Sequence, residues 1–297
     1  MKIKLPSRRS GNLEDRRGMA GPRLGGGVPL PIGLLGGLGI PGIVIALVLI
    51  VVVPALTGGG GGFGLDTSLP GVQAPPAQGL PAGADPDADL VNFVSAVLDD
   101  VQALWSEEFA ASGDAYTDAQ LVIFTNSVQS GCGAASSATG PFYCSLDSTV
   151  YLDLDFFREL SSRFGAPGDF AQAYVIAHEI AHHVQNITGI GDEVRRVSSE
   201  RPAEANELSI RQELQADCLA GVWGYSTYER GILESGDLEE GLEAAAAIGD
   251  DRIQKQATGS VNPDTWTHGS SEQRVKWFRR GFDSGEAEKC DTFAGGI

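Results

Sequence analysis

The chain has 297 residues, 42% of them apolar and 20% charged, with 21 Lys and Arg against 39 Asp and Glu and a formal net charge of −18. That acidity argues against a nucleic-acid partner, which needs an excess of surface cations. The composition also excludes a disordered acidic polymer and a polytopic membrane protein; with the Gly- and Pro-rich first 87 residues set aside, residues 88–297 remain for one packed domain.

Residues 1–31 form a basic segment in which Lys2, Lys4, Arg8, Arg9, Arg16, Arg17 and Arg23 meet only Glu14 and Asp15. No charge follows until Asp66. Residues 32–56, IGLLGGLGIPGIVIALVLIVVVPAL, are long enough at ~1.5 Å per residue to cross ~30 Å of hydrocarbon, which predicts one transmembrane helix. A cleaved signal peptide has a shorter apolar stretch and a small-residue cleavage site, so the helix is expected to stay as an anchor. The flanking cations place the N-terminus in the cytoplasm and the rest of this single-pass chain outside it. Residues 57–87 read as a Gly/Pro-rich linker that holds the domain off the bilayer.

Beyond the linker, Leu90, Val91, Phe93, Val94, Val97, Leu98, Val101, Leu104 and Trp105 recur at steps of three and four, predicting a packing helix over 88–110. Strands are predicted over 120–128 and 148–154, with a Gly/Ser-rich loop between them. Helices are predicted over 156–164, 170–187, 202–230, 237–253 and 270–282, which makes a helix-rich α+β domain with a small sheet. Its four cysteines allow three pairings, of which Cys132 with Cys144 and Cys218 with Cys290 is favoured because it closes the local loop. An even count suits an oxidising compartment, and no C-x-x-C spacing points to a cysteine zinc site.

His178, Glu179 and His182 form H-E-x-x-H. On a helix, residues four apart share a face, so both imidazoles can reach one Zn²⁺ while Glu179 stands beside it, free to take a proton from a water polarised by the metal. A catalytic zinc needs a third ligand. The extended pattern that would supply it as histidine fails, because Gln185 and Thr188 occupy the required Gly and His positions. Glu193, Glu200, Glu204, Glu207 and Glu213 all follow, and Glu213 is the best candidate: it lies in a strongly apolar helix with Asp217 one turn on. Asp217 can then receive the second N–H of a ligating histidine. His183 is turned about 100° from the ligand face and reads as packing or surface. His268, just before the last helix, is the remaining histidine placed to aim a donor at an oxyanion, and Arg274 is placed to neutralise a nearby acid.

The segments HEIAHHVQ, RQELQADCLAGVW, HGSSEQRVKWF, GPFYC with VYLDLDFF, and SGNLEDRRG resemble a bacterial family of neutral zinc metallopeptidases, over essentially the whole chain except 58–87. More distantly, H-E-x-x-H followed by E-x-x-A-D is similar to membrane-associated zinc peptidases. In those, the first Glu of the second motif is the third zinc ligand and a later His near an Arg assists the transition state, which implies Glu213 and His268 here. The resemblance implies a zincin-like, gluzincin-type fold, a Zn²⁺ cofactor and a peptide or protein substrate. The expected protein is a membrane-anchored zinc endopeptidase, with a peptide held by strand addition at an edge such as 148–154. A non-catalytic, zinc- and disulfide-stabilised module binding envelope components is the alternative, and Glu179 argues against it, because a closed structural zinc site has no use for a base.

Overall fold

The structure is a computed structural model that describes residues 1–19 and 85–297. The predicted transmembrane helix 32–56 and the linker as far as residue 84 lie outside the described residues, among which no helix is long and apolar enough to cross a membrane. The element order is β1 (Leu13–Asp15), α1 (Ala88–Ser112), β2 (Gln120–Phe124), β3 (Ser127–Ser130), β4 (Gly133–Ser136), β5 (Phe142–Cys144), β6 (Thr149–Asp153), α2 (Asp155–Ser162), α3 (Asp169–Ile187), α4 (Ile190–Glu200), α5 (Ala205–Glu229), α6 (Asp237–Ala247), α7 (Asp250–Thr258) and α8 (Ser271–Ser284). This is a helix-rich α+β architecture.

Four strands form a sheet in the order β1-β2-β6-β5, with β5 alone antiparallel. Both faces of the central pair are buried, and the period-two alternation sends its side chains to two different cores. Leu121, Ile123, Val150 and Leu152 point to the main helical core, whereas Val122, Phe124 and Tyr151 pack with Val128 and Cys144 under the β3–β4 hairpin. The disulfide Cys132–Cys144 ties the hairpin tip to β5, and Cys218–Cys290 ties α5 to the C-terminal tail. Both pairings are the favoured ones.

On the helical side, α1 buries Val91, Val94, Leu98, Val101 and Trp105 and stops where Gly113 adopts φ 84°, its N–H reaching the Ala110 carbonyl and that of Asp114 reaching the Phe109 carbonyl. Helices α5 and α8 approach so closely that only glycine fits at their crossing. A Cβ on Gly281 would sit 1.8 Å from the Cys218 carbonyl oxygen, and one on Gly221 would sit 2.1 Å from that of Phe278. Helix α3 runs through the core beside α5.

The structure departs from the expected elements in several places. The strand predicted over 120–128 breaks because Asn126 turns the chain at φ 68°, so β2 stays in the sheet and β3 leaves for the hairpin. The helix predicted over 237–253 splits into α6 and α7 at Gly249, where a Cβ would strike the Ser271 backbone at 2.4 Å. Strand β6 is paired on both sides, by β2 and β5, so its edge is not available to a peptide. Residues 1–19 do not stand apart as a separate segment: β1 pairs with β2 in the register Leu13↔Leu121, and Arg16 N–H donates to the Ile123 carbonyl at 2.7 Å. Arg17 bonds Asp15 and Asp85 at 2.7 and 2.6 Å. Residues 1–19 and 85–297 therefore pack as one folded unit among the described residues.

Candidate metal centre

His178 and His182 lie one turn apart on α3, with their rings edge to face at 4.8 Å between centroids. Helix α5 presents Glu213 across from them. Its Oε2 is 3.2 Å from His178 Nε2 and its Oε1 is 3.4 Å from His182 Nε2, and the three side chains each offer a ligand atom within 4.8 Å of the others. Glu193, Glu200, Glu204 and Glu207 are not in this group.

The other nitrogen of each ring is held by an acceptor. His178 Nδ1 donates to Asp217 Oδ1 at 2.9 Å, and His182 Nδ1 donates to Gln185 Oε1 at 2.8 Å. Gln185 is in turn fixed because its Nε2 donates to the Gln212 carbonyl and to Gln215 Oε1. With Nδ1 protonated, each neutral ring turns its Nε2 lone pair toward the Glu213 carboxylate. Two imidazole nitrogens and a carboxylate converging at this spacing can share a cation, and two imidazoles with one carboxylate are a donor set that suits zinc and leaves a coordination position open.

Asp217 is fully buried and accepts four hydrogen bonds. Beside His178, they come from Tyr174 Oη at 2.5 Å and from Arg274 Nε and Nη2, both at 2.8 Å. Burial opposes the ionised form of Asp217, yet Arg274 and His178 outweigh it and hold the carboxyl below its ordinary range. Burial likewise lowers the His178 pKa, but Asp217 and Glu213 raise it more, to about 9. The carboxylates that attract a proton to this ring also favour a metal cation, so a metal binding here would displace protons.

Glu179 is buried, and burial raises its pKa against the pull of His182 and His178. Its neighbours act on it through charge alone, which leaves the carboxylate free to exchange a proton. Glu213 is held well below the ordinary carboxylate range, since His182 and His178 overcome its burial. The two glutamates thus differ: burial holds Glu179 toward its protonated form, while the histidines hold Glu213 as an anion.

His268 does not join the three ligands. It sits on the loop before α8, which lies against α5: Ser209 Oγ donates to the Thr267 carbonyl at 2.8 Å, and a Cβ on Gly269 would meet Ile210 and Leu214 at 3.3 Å. Those residues flank Glu213 on its helix. His183 is buried in packing, with Nε2 donating to the Thr117 carbonyl at 2.6 Å and Nδ1 accepting from Tyr143 at 2.9 Å. Three partners were not anticipated: Tyr174, Gln185 and Asp250. Tyr174 precedes His178 by four residues and Gln185 follows His182 by three, spacings that put each on its histidine's face.

The chain matches the family described as "Putative neutral zinc metallopeptidase" over residues 3–293. It is 47% identical over 293 residues to "Uncharacterized protein YpfJ" of Escherichia coli K12, covering 98% of each chain. It is 44% identical over 223 residues to "Uncharacterized protein Rv2575" of Mycobacterium tuberculosis, covering 71% of this chain and 73% of that one. No solved structure matches it. Two imidazoles and a carboxylate on crossing helices, within a match that runs from β1 to the C-terminal tail, make this chain a member of the neutral zinc metallopeptidase family.

Proposed function

We propose that the chain is a zinc-dependent endopeptidase of zincin type. The observation that carries this reading is Glu179, a buried carboxylate with a raised pKa, one residue from a three-ligand set. His178, His182 and Glu213 would hold the zinc, which when bound would supply Lewis acidity to a water and to the scissile carbonyl. Glu179 takes the proton of the attacking water and hands it to the leaving amine. Asp217 keeps His178 in the Nδ1–H tautomer, and Arg274 and Tyr174 keep Asp217 in place. His268 donates to the oxyanion from the side of Glu213. With β6 paired on both sides, the strand edge that accepts a peptide is β5.

Replacing Glu179 by Gln keeps the shape and removes the base. Bound zinc per chain should stay the same, while metal-dependent peptide hydrolysis falls about 10²–10⁴-fold. Equal hydrolysis by both proteins defeats the reading, and the non-catalytic binding module then takes its place.

Two disulfides support an oxidising compartment outside the cytoplasm, and the apolar run 32–56 supports attachment to a membrane. Because β1 pairs with β2, both flanks of that run belong on the same side. A membrane-impermeant thiol reagent applied to intact cells should label Lys4→Cys and Gly296→Cys alike. Labelling of only one would restore the single pass.

A further inference from the structure

We propose that Asp250, at the start of α7, is the positioning residue for His268, holding its loop and ring so that Nε2 is offered to the Glu213 side of the metal centre. The inference rests on the catalytic reading of His268 and adds what orients it. Asp250 is buried, and its Oδ2 accepts three consecutive backbone N–H groups, from Thr267 at 2.7 Å, His268 at 2.7 Å and Gly269 at 3.2 Å. Its Oδ1 lies 3.2 Å from His268 Nδ1, which also meets Thr267 Oγ1 at 3.0 Å. The clamp is reciprocal, since Asp250 N–H donates to the Gly269 carbonyl at 2.9 Å. One carboxylate therefore fixes the loop with one oxygen and the ring with the other, leaving Nε2 without a partner among the described residues.

This geometry has a chemical consequence. With Nδ1–H donating to Asp250, a neutral ring has only a lone pair at Nε2, so His268 can donate to an oxyanion only as the imidazolium. The groups around it set that charge. The ring is 51% exposed, so it is only partly desolvated; that desolvation lowers its pKa, while Asp250 and Glu213 raise it against the opposing charge of Arg274, for a net rise. The ring is thus a cationic donor below its raised pKa, and activity falls as pH rises through it.

Asp250→Asn separates orientation from loop structure. The amide oxygen can keep the three backbone bonds, while the amide nitrogen, a donor, faces Nδ1 and drives it to become an acceptor. The full chain, loaded with zinc and with its four histidines labelled with ¹⁵N, reports each ring by NMR. In the unaltered protein, His268 should titrate above about 6.5 with Nδ1 protonated throughout. In Asp250→Asn, Nδ1 should turn acceptor, and charging the ring should take at least about tenfold more protons. With peptide substrate, kcat should fall with KM little changed, because a neutral Nε2–H replaces the cationic donor, and the alkaline limb of the profile should flatten, because that neutral donor persists as pH rises. Titration of His268 in the unaltered protein at or below the ordinary value, with Nδ1 unprotonated, overturns the proposal without any variant, as does a ring indifferent to Asp250→Asn. A ring that depends on Asp250 in a chain without peptidase activity keeps the positioning and defeats the catalytic reading instead.

Discussion

Two Arg–Asp clusters hold parts of this molecule together, and they differ in how much water reaches them. Arg274 and Asp217 are 2% and 0% exposed, and they lie directly behind His178 of the candidate metal centre. Arg17 is 6% exposed, but its partners Asp15, Asp85 and Asp87 are about one-fifth exposed and lie where β1 meets the rest of the fold. In the dry cluster no water competes for the charges, so they fix one geometry. In the wet cluster, water can replace either partner, so the pairs tether without rigidly orienting. The same residue types thus serve orientation in one place and attachment in the other.

The comparison is tested most severely at Arg274. Arg274→Leu leaves Asp217 ionised and buried with only Tyr174 and His178 as donors, and it should cost about 3–5 kcal/mol in denaturant unfolding. Zinc affinity, read by chelator competition, should fall about 10–100-fold. Replacing Asp217 by Leu as well should recover much of the stability and none of the zinc affinity; recovery of both would mean that the pair orients nothing. The smaller effect belongs to Arg17→Ala, expected to cost about 1 kcal/mol and to shrink as salt rises. Faster hydrogen exchange at the amides of Arg16 and Leu121, which bond across β1 and β2, would show where the loss falls. A loss at Arg17 as large as that at Arg274 would erase the distinction between the clusters.

The metal helix was legible because its information is local. Four-residue spacing defines the His178/His182 face, and the same spacing links Glu213 to Asp217 on α5. Arg274 was legible only as a cation able to neutralise an acid, since its partner lies on another helix. Asp250 was not legible: it is distant from His268 in sequence, and nothing in either residue's neighbours specifies that α7 and the loop before α8 will meet. Strand β1 was not predicted, for a related reason. Leu13, Glu14 and Asp15 carry no apolar alternation, and their basic neighbours read as the cytoplasmic flank of a membrane helix. Their partner strand supplies the whole reason for their conformation. The charged helix α4 was missed because it buries only Gly191 and Val194, too few to mark a periodic face.

The pairing of β1 with β2 also orders events in time. A chain made from its N-terminus releases Leu13 first, and Leu13 waits until Leu121 has followed it. Through that interval β1 has no sheet to join, and its closure carries the entropy of all the chain between. A nascent chain that ends before Phe124 therefore exposes a strand without a mate, and this edge of the sheet is a seam that stays open until β2 has been made.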